Sequence, residues 1–171
     1  MKAQKEFICG LAHLTPADRG CVATSGSFDG VHIGHQKILA GLKIKADAMR
    51  VPTVVIVFEP QPAEYFVKDS APARLTCLRE KVTALFDAGA DRVLCLRFNK
   101  AMRSLTAHQF VQSVLVDSLG IKHLEIGDDF RFGCDRAGDY QLLQTFGEAS
   151  GFSVTRMSTY EYEGERVSST R

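Results

Sequence analysis

The sequence predicts an α/β fold, an open parallel sheet with helices on both faces. Two patterns and the chain length predict it. Apolar, β-branched runs alternate with stretches of helical periodicity along the chain. One of them, TVVIVFE at 53–59, is apolar without alternation, as expected of a strand buried on both faces of a parallel sheet. The 171 residues suffice for one domain with a substantial core, read here as 1–171.

Each element has its own signal. CVATSGSF (21–28) reads as a strand. It is followed by HQKILAGLKIKADAM (35–49), where Ile38, Leu39, Leu42, Ala46 and Met49 recur at helical spacing. TCLREKVTALFDAGA (76–90) reads as a helix ending at Gly89, and RVLCLRF (92–98) as the next strand. TAHQFVQSVLVDSLG (106–120) opens on a threonine N-cap and closes on glycine. HLEIGDDF (123–130), DYQLLQTFGEASG (139–151) and SVTRMSTYEYE (153–163) complete a strand–helix–strand series. This βαβα order implies the parallel sheet. The long connection at 59–75 carries Pro60, Pro62 and Pro72, and long loops in compact domains are often functional.

Composition excludes several classes. Lys plus Arg is 21 and Asp plus Glu is 20, so the basic excess of a general nucleic-acid binder is missing. The five cysteines are odd in number and none are spaced CxxC, which reads as reduced thiols in a cytoplasmic protein. No stretch approaches a membrane span, and the N-terminus lacks the apolar core of a signal peptide.

The chemistry concentrates in GSFDGVHIGH (26–35). In an open α/β sheet, ligands bind beyond the carboxyl ends of the strands, where this turn lies. Gly26 and Gly30 permit a tight turn, and Gly34 leaves room beside a helix start. The first N–H groups of a helix have no internal partner and favour an anion. With a helix starting near Gly34, His32 and His35 reach the same side of that anion. Such a turn suits nucleotidyl transfer, which needs donors and positive groups around phosphorus but no protein nucleophile. Taken alone, a histidine pair at this spacing reads first as a turn residue and a helix cap. The stretch is neither a P-loop nor a dinucleotide fingerprint, and no third ligand for a zinc ion stands nearby.

Other groups fit the same chemistry. Two carboxylates in GDDF, Asp128 and Asp129, suit a hard cation such as Mg²⁺. The hydroxyls and arginines of RVSSTR (166–171) suit a triphosphate. Phe130 and Phe132 place two rings on one side of an extended segment, with Arg131 on the other. On residue type alone these phenylalanines are core before they are cofactor wall, the aspartates turn formers, and the serines helix caps.

His32-Ile33-Gly34-His35 resembles the HxGH signature of the nucleotidyltransferase superfamily, and FDGVHIGHQ (28–36) resembles its form in bacterial FAD synthetases. FEPQP (58–62), GDDFRFG (127–133) and RVSSTR agree in the same order, so the resemblance runs over residues 10 to 171. It implies a Rossmann-like fold and the reaction of ATP with FMN to give FAD and pyrophosphate, with Mg²⁺. Matched by position, it implies catalytic roles for His32, His35 and Asp129, with Asp129 also on the metal. It implies contacts to ATP and its phosphates from Ser27, Phe28, Asp29, Gly34, Arg166, Ser169 and Thr170. It implies a flavin pocket from Pro60, Pro62, Phe66 and Phe132. Gln61 stands where many relatives have histidine and is given no role. Relatives of this kind are fused to a riboflavin kinase module after the serine–threonine motif. From these 171 residues, FAD synthesis without riboflavin phosphorylation is therefore expected. Two alternatives stay open: a flavin- or nucleotide-binding module with little turnover, and a nucleotidyltransferase for another phosphorylated acceptor.

Overall fold

The computed structural model describes residues 5–15, 19–26, 33–59, 78–127, 131–157, 161–162 and 165–166. At 33–35, 135, 157, 161–162 and 165–166 it gives backbone placement only. Six strands form one sheet: β1 (Glu6–Cys9), β2 (Cys21–Ser25), β3 (Thr53–Glu59), β4 (Arg92–Arg97), β5 (Ile121–Gly127) and β6 (Ser153–Met157). Their order is β1-β4-β3-β2-β5-β6, and every neighbouring pair is parallel. The order reverses at β2, so β2 and β5 flank the crevice where α/β sheets of this kind bind ligands. A short hairpin, β7 (Glu161–Tyr162) with β8 (Glu165–Arg166), follows.

The helices divide between the faces as alternation along the strands dictates. Helices α1 (Ile33–Met49) and α2 (Leu78–Asp87) cover one face. Leu39, Val82 and Leu85 pack there on Val55, Val57, Val93 and Cys95, while Leu42 and Ala46 join Val22. After the single turn α3 (Lys100–Arg103), α4 (Ala107–Phe110) and the π-helical turns Val111–Ser118 cover the other face together with α5 (Tyr140–Ser150). This second core holds Ala23, Ile56, Leu94, Leu124 and Ile126 against Phe110, Val111, Val114 and Leu143.

Local chemistry sets the boundaries. Thr106 caps α4 through a reciprocal box, its hydroxyl accepting from Gln109 N at 3.1 Å while Thr106 N donates to Gln109 Oε1 at 2.9 Å. Asp139 caps α5 by accepting from Leu142 N at 3.0 Å, and Gly151 ends it in the left-handed region. The observed elements differ from expectation in several places. The strand expected over 21–28 ends at Ser25, and helix α1 begins two residues before position 35. The helix expected over 106–120 winds as a π-helix from Val111, with Leu119 N donating to Val114 O at 3.1 Å. β1 was not expected at all. The last expected strand, 153–163, is divided between β6 and β7.

Candidate active site

Because all six strands run the same way, every segment leaving a strand end leaves from one edge of the sheet. β2 ends at Ser25 and α1 opens at Ile33, so the histidine turn bridges a central strand end and a long helix start. Gly34 and His35 lie in the first turn of α1. β3, on one side of β2, ends at Glu59 and leads directly to Pro60. β5, on the other side, ends at Gly127 and leads directly to Asp128 and Asp129. Adjacent strands lie about 4.8 Å apart, so these three exits fall within about 10 Å of one another. Ser27, Phe28, Asp29, His32, Pro60, Pro62, Phe66, Asp129, Ser169 and Thr170 lie outside the described residues. Arg166 is placed by its backbone in β8.

Phe132 is the predicted site residue whose side chain is described. It is buried and belongs to the core of the α4/α5 face. Its ring centroid stands 5.6 Å from that of Phe110. A side chain at Gly138 would meet the Phe132 ring at 2.5 Å, so the ring lies directly on the Gly138 backbone. The two residues bridge, Phe132 N donating to Gly138 O at 3.2 Å and Gly138 N to Phe132 O at 2.8 Å. Gly133 has φ of 80° and approaches the Ala107 backbone so closely that a Cβ there would stand 2.7 Å from it. Cys134 N donates to Leu105 O at 2.7 Å. The segment after β5 is thus pinned to the start of α4.

Three further aromatic residues join it. Phe58, near the end of β3, is 6.3 Å from Phe110 and 5.9 Å from Phe98, the latter edge-on. Four phenylalanines from four parts of the chain therefore line the carboxyl end of the sheet on the α4/α5 side. Such an apolar wall suits a flat heterocycle. Phe58, Phe98 and Phe110 were not singled out from sequence, where each reads as an ordinary apolar residue of its element. Only the sheet register and the packing of α4 bring them together.

Buried polar groups flank this edge. Ser25, the last residue of β2, is 8% exposed, and its Oγ has no hydrogen-bond partner among the described residues. Glu125, on β5, is equally buried with Oε2 unpartnered. Its Oε1 lies 3.8 Å from His123 Nε2. His123 is held by hydroxyls, Nδ1 to Ser153 Oγ at 2.6 Å and Nε2 to Thr155 Oγ1 at 3.1 Å. Glu125 faces α1: a side chain at Gly41 would stand 3.8 Å from Glu125 Oε2. Positive groups also gather on the α5 side, where Arg131 is 3.8 Å from Asp139 and the Arg156 guanidinium lies 4.7 Å over the Tyr140 ring. Among the described residues no three His, Cys, Asp or Glu side chains cluster for a metal ion, and no helix is long and apolar enough to cross a membrane.

The FAD synthetase family matches residues 14–171. A bifunctional riboflavin kinase/FMN adenylyltransferase of Pseudomonas fluorescens is 54% identical over 166 residues, 97% of this chain and 53% of its own length. The Escherichia coli K12 protein of the same name is 48% identical over 166 residues, 96% of this chain and 53% of its own length. The chain spans about half the length of the curated relatives it matches. Among solved structures, one titled as a macrolide-efflux protein from Streptococcus pneumoniae superposes with a TM-score of 0.79 at 24% identity, over 96% of this chain and 53% of that one. That likeness is one of fold.

Proposed function

The chain belongs to the FAD synthetase family, and on that premise we propose that it transfers the adenylyl group of ATP to FMN, giving FAD and pyrophosphate. The observation that carries this reading is that the strands leading into the histidine turn, the proline loop and the GDDF segment, β2 and its two neighbours, run parallel and end side by side at one sheet edge. A phosphate oxygen of FMN attacks the α-phosphorus of ATP, and the bond from that phosphorus to the pyrophosphate oxygen breaks. Positioning and charge stabilisation perform the catalysis, without a covalent intermediate on the protein.

In this proposal the first turn of α1 supplies free backbone N–H groups, and His32 and His35 hold the departing phosphates as charge builds on them. Ser27, Phe28, Asp29 and Gly34 shape the same turn. Arg166, Ser169 and Thr170 hold the triphosphate from the β8 side. Asp129 stands two residues beyond the end of β5 in sequence, a carboxylate position suited to one ligand of Mg²⁺. When bound, that ion neutralises phosphate charge. Pro60, Pro62 and Phe66 form the open side of the flavin pocket, and Phe132 contributes from its buried position behind Phe110. The riboflavin kinase activity in the names of the relatives is assigned to the half of those proteins that this chain does not match.

Chromatography of the flavins tests the proposal. With FMN, ATP and Mg²⁺, FAD should accumulate. With riboflavin in place of FMN, no FMN should form. FMN recovered unchanged, while the protein still binds it, would mark a binding module. Turnover of another phosphorylated acceptor in preference to FMN would mark a different transferase.

A further inference from the structure

Ser25 closes the central strand of the sheet, and its neighbours make a hydroxyl there anomalous. On β2, Cys21, Ala23 and Ser25 point to the α4/α5 face, and the first two belong to its hydrocarbon core. Ser25 pairs with Ile56 of β3. Phe58 stands two residues further along β3 on the same face, in contact with Phe110, which in turn contacts Phe132. On the amino side of Ser25 the residues sharing its face are hydrocarbon. On β3, the next residue of that face beyond its partner Ile56 belongs to the aromatic wall. The hydroxyl is enclosed and has no hydrogen-bond partner among the described residues. An enclosed hydroxyl left unpaired destabilises the free protein by about as much as a lost hydrogen bond, whereas alanine at the same place would not.

We propose that Ser25 is a binding residue for the flavin nucleotide, its hydroxyl completing a hydrogen bond when the acceptor seats against the phenylalanine wall. The inference rests on the proposed acceptor and adds the residue that reads it. A serine hydroxyl both donates and accepts, so it matches the carbonyl and ring-nitrogen edge of a flavin or an oxygen of its phosphate. The α1 face, where the ATP phosphates are placed, lies on the opposite side of the sheet from this side chain. The contact should therefore discriminate between the two substrates.

Calorimetry with FMN and with ATP, each paired with a melting curve, tests this in the 171-residue chain. Ser25→Ala should weaken FMN binding about 5- to 10-fold, the size of one neutral hydrogen bond. ATP binding should stay within about twofold, and the ligand-free Tm should hold or rise. Ser25→Cys, close in volume but a weak donor, should lose FMN affinity in the same way. An unchanged FMN affinity in Ser25→Ala overturns the proposal. A lowered Tm with both ligands weakened equally also overturns it, because that is the signature of a structural hydroxyl. Retained affinity in Ser25→Cys overturns it as well, since shape alone would then suffice. Wild-type protein that binds ATP but not FMN would overturn the acceptor assignment itself, and this inference with it.

Discussion

Asp91 and Ser25, buried polar residues at opposite edges of the sheet, are treated in opposite ways. At the amino edge, Asp91 is almost fully buried and fully engaged. It accepts from Thr53 N at 3.0 Å and Thr53 Oγ1 at 3.3 Å, and Lys43 Nζ stands 3.3 Å away. Asp91 N donates to Thr53 Oγ1 at 2.8 Å, and Asp91 O accepts from Glu6 N at 3.0 Å. One residue thus ties the starts of β1, β3 and β4 to the later turns of α1. At the carboxyl edge, Ser25 Oγ and Glu125 Oε2 are buried without partners among the described residues. A protein completes its own hydrogen bonds where it needs only stability. It leaves them open where something else is to bind. Helix α1 spans both regimes, with His35 in its first turn and Lys43 at the amino edge.

The sharpest way to break this contrast is to change one residue at each end of α1's reach. The largest effect should come from the carboxyl edge. His35→Ala should lower kcat for FAD synthesis by about 10²-fold or more while the Tm and flavin binding stay near those of the wild type. A folded variant with near-full kcat would remove the histidine turn from the chemistry.

Asp91→Ala should do the reverse. It deletes a buried, multiply bonded carboxylate and leaves its donors unpaired, a loss of about 2–4 kcal/mol. The Tm should fall by about 5–15 °C, and kcat at a temperature where the variant remains folded should change less than twofold. A Tm within a degree of the wild type would show that the amino edge is not where stability is concentrated.

A smaller effect is expected at the aromatic wall. Phe132→Leu keeps a large apolar side chain but removes the ring behind Phe110. FMN binding should weaken about fivefold and ATP binding less than twofold, each measured by calorimetry on protein of near-normal Tm. Equal weakening of both ligands would place the flavin elsewhere.

The smallest effect concerns pH. Burial pushes the Cys21 thiol up from 9.0 to about 12, with Arg92 opposing the shift weakly. The folded chain keeps this proton at pH values where the unfolded chain releases it. The associated stability is therefore complete below pH 9 and declines as pH rises from about 9 towards 12. Wild type should lose Tm across pH 9 to 10.5 more steeply than Cys21→Ala. Parallel slopes would contradict the shift.

The fold was largely legible because its signals are local. The apolar run of β3, the Thr106 cap and the Gly151 terminus each act within a few residues, and each stands where the sequence places it. β1 escaped because Ile8 is its one buried residue, so an edge strand left no alternation to read. The π-helical winding after Phe110 has no local residue signature. At the site, only the motifs were legible, since glycine and histidine spacing is itself sequential. The wall of Phe58, Phe98 and Phe110 was not visible, because its members meet only after β3, β4 and α4 have packed. Ser25 was hidden for the same reason: a serine at a strand end is unremarkable until its neighbours prove to be hydrocarbon.

The central claim is that the carboxyl edge moves an adenylyl group, and isotopic labelling tests it most directly. ATP labelled at the α-phosphorus, incubated with FMN, Mg²⁺ and the protein, should pass its label into FAD in step with FAD formation. Label at the γ-phosphorus should appear only in pyrophosphate. Label from the α-position that never reaches a flavin, or γ-label recovered in one, would contradict adenylyl transfer at this edge.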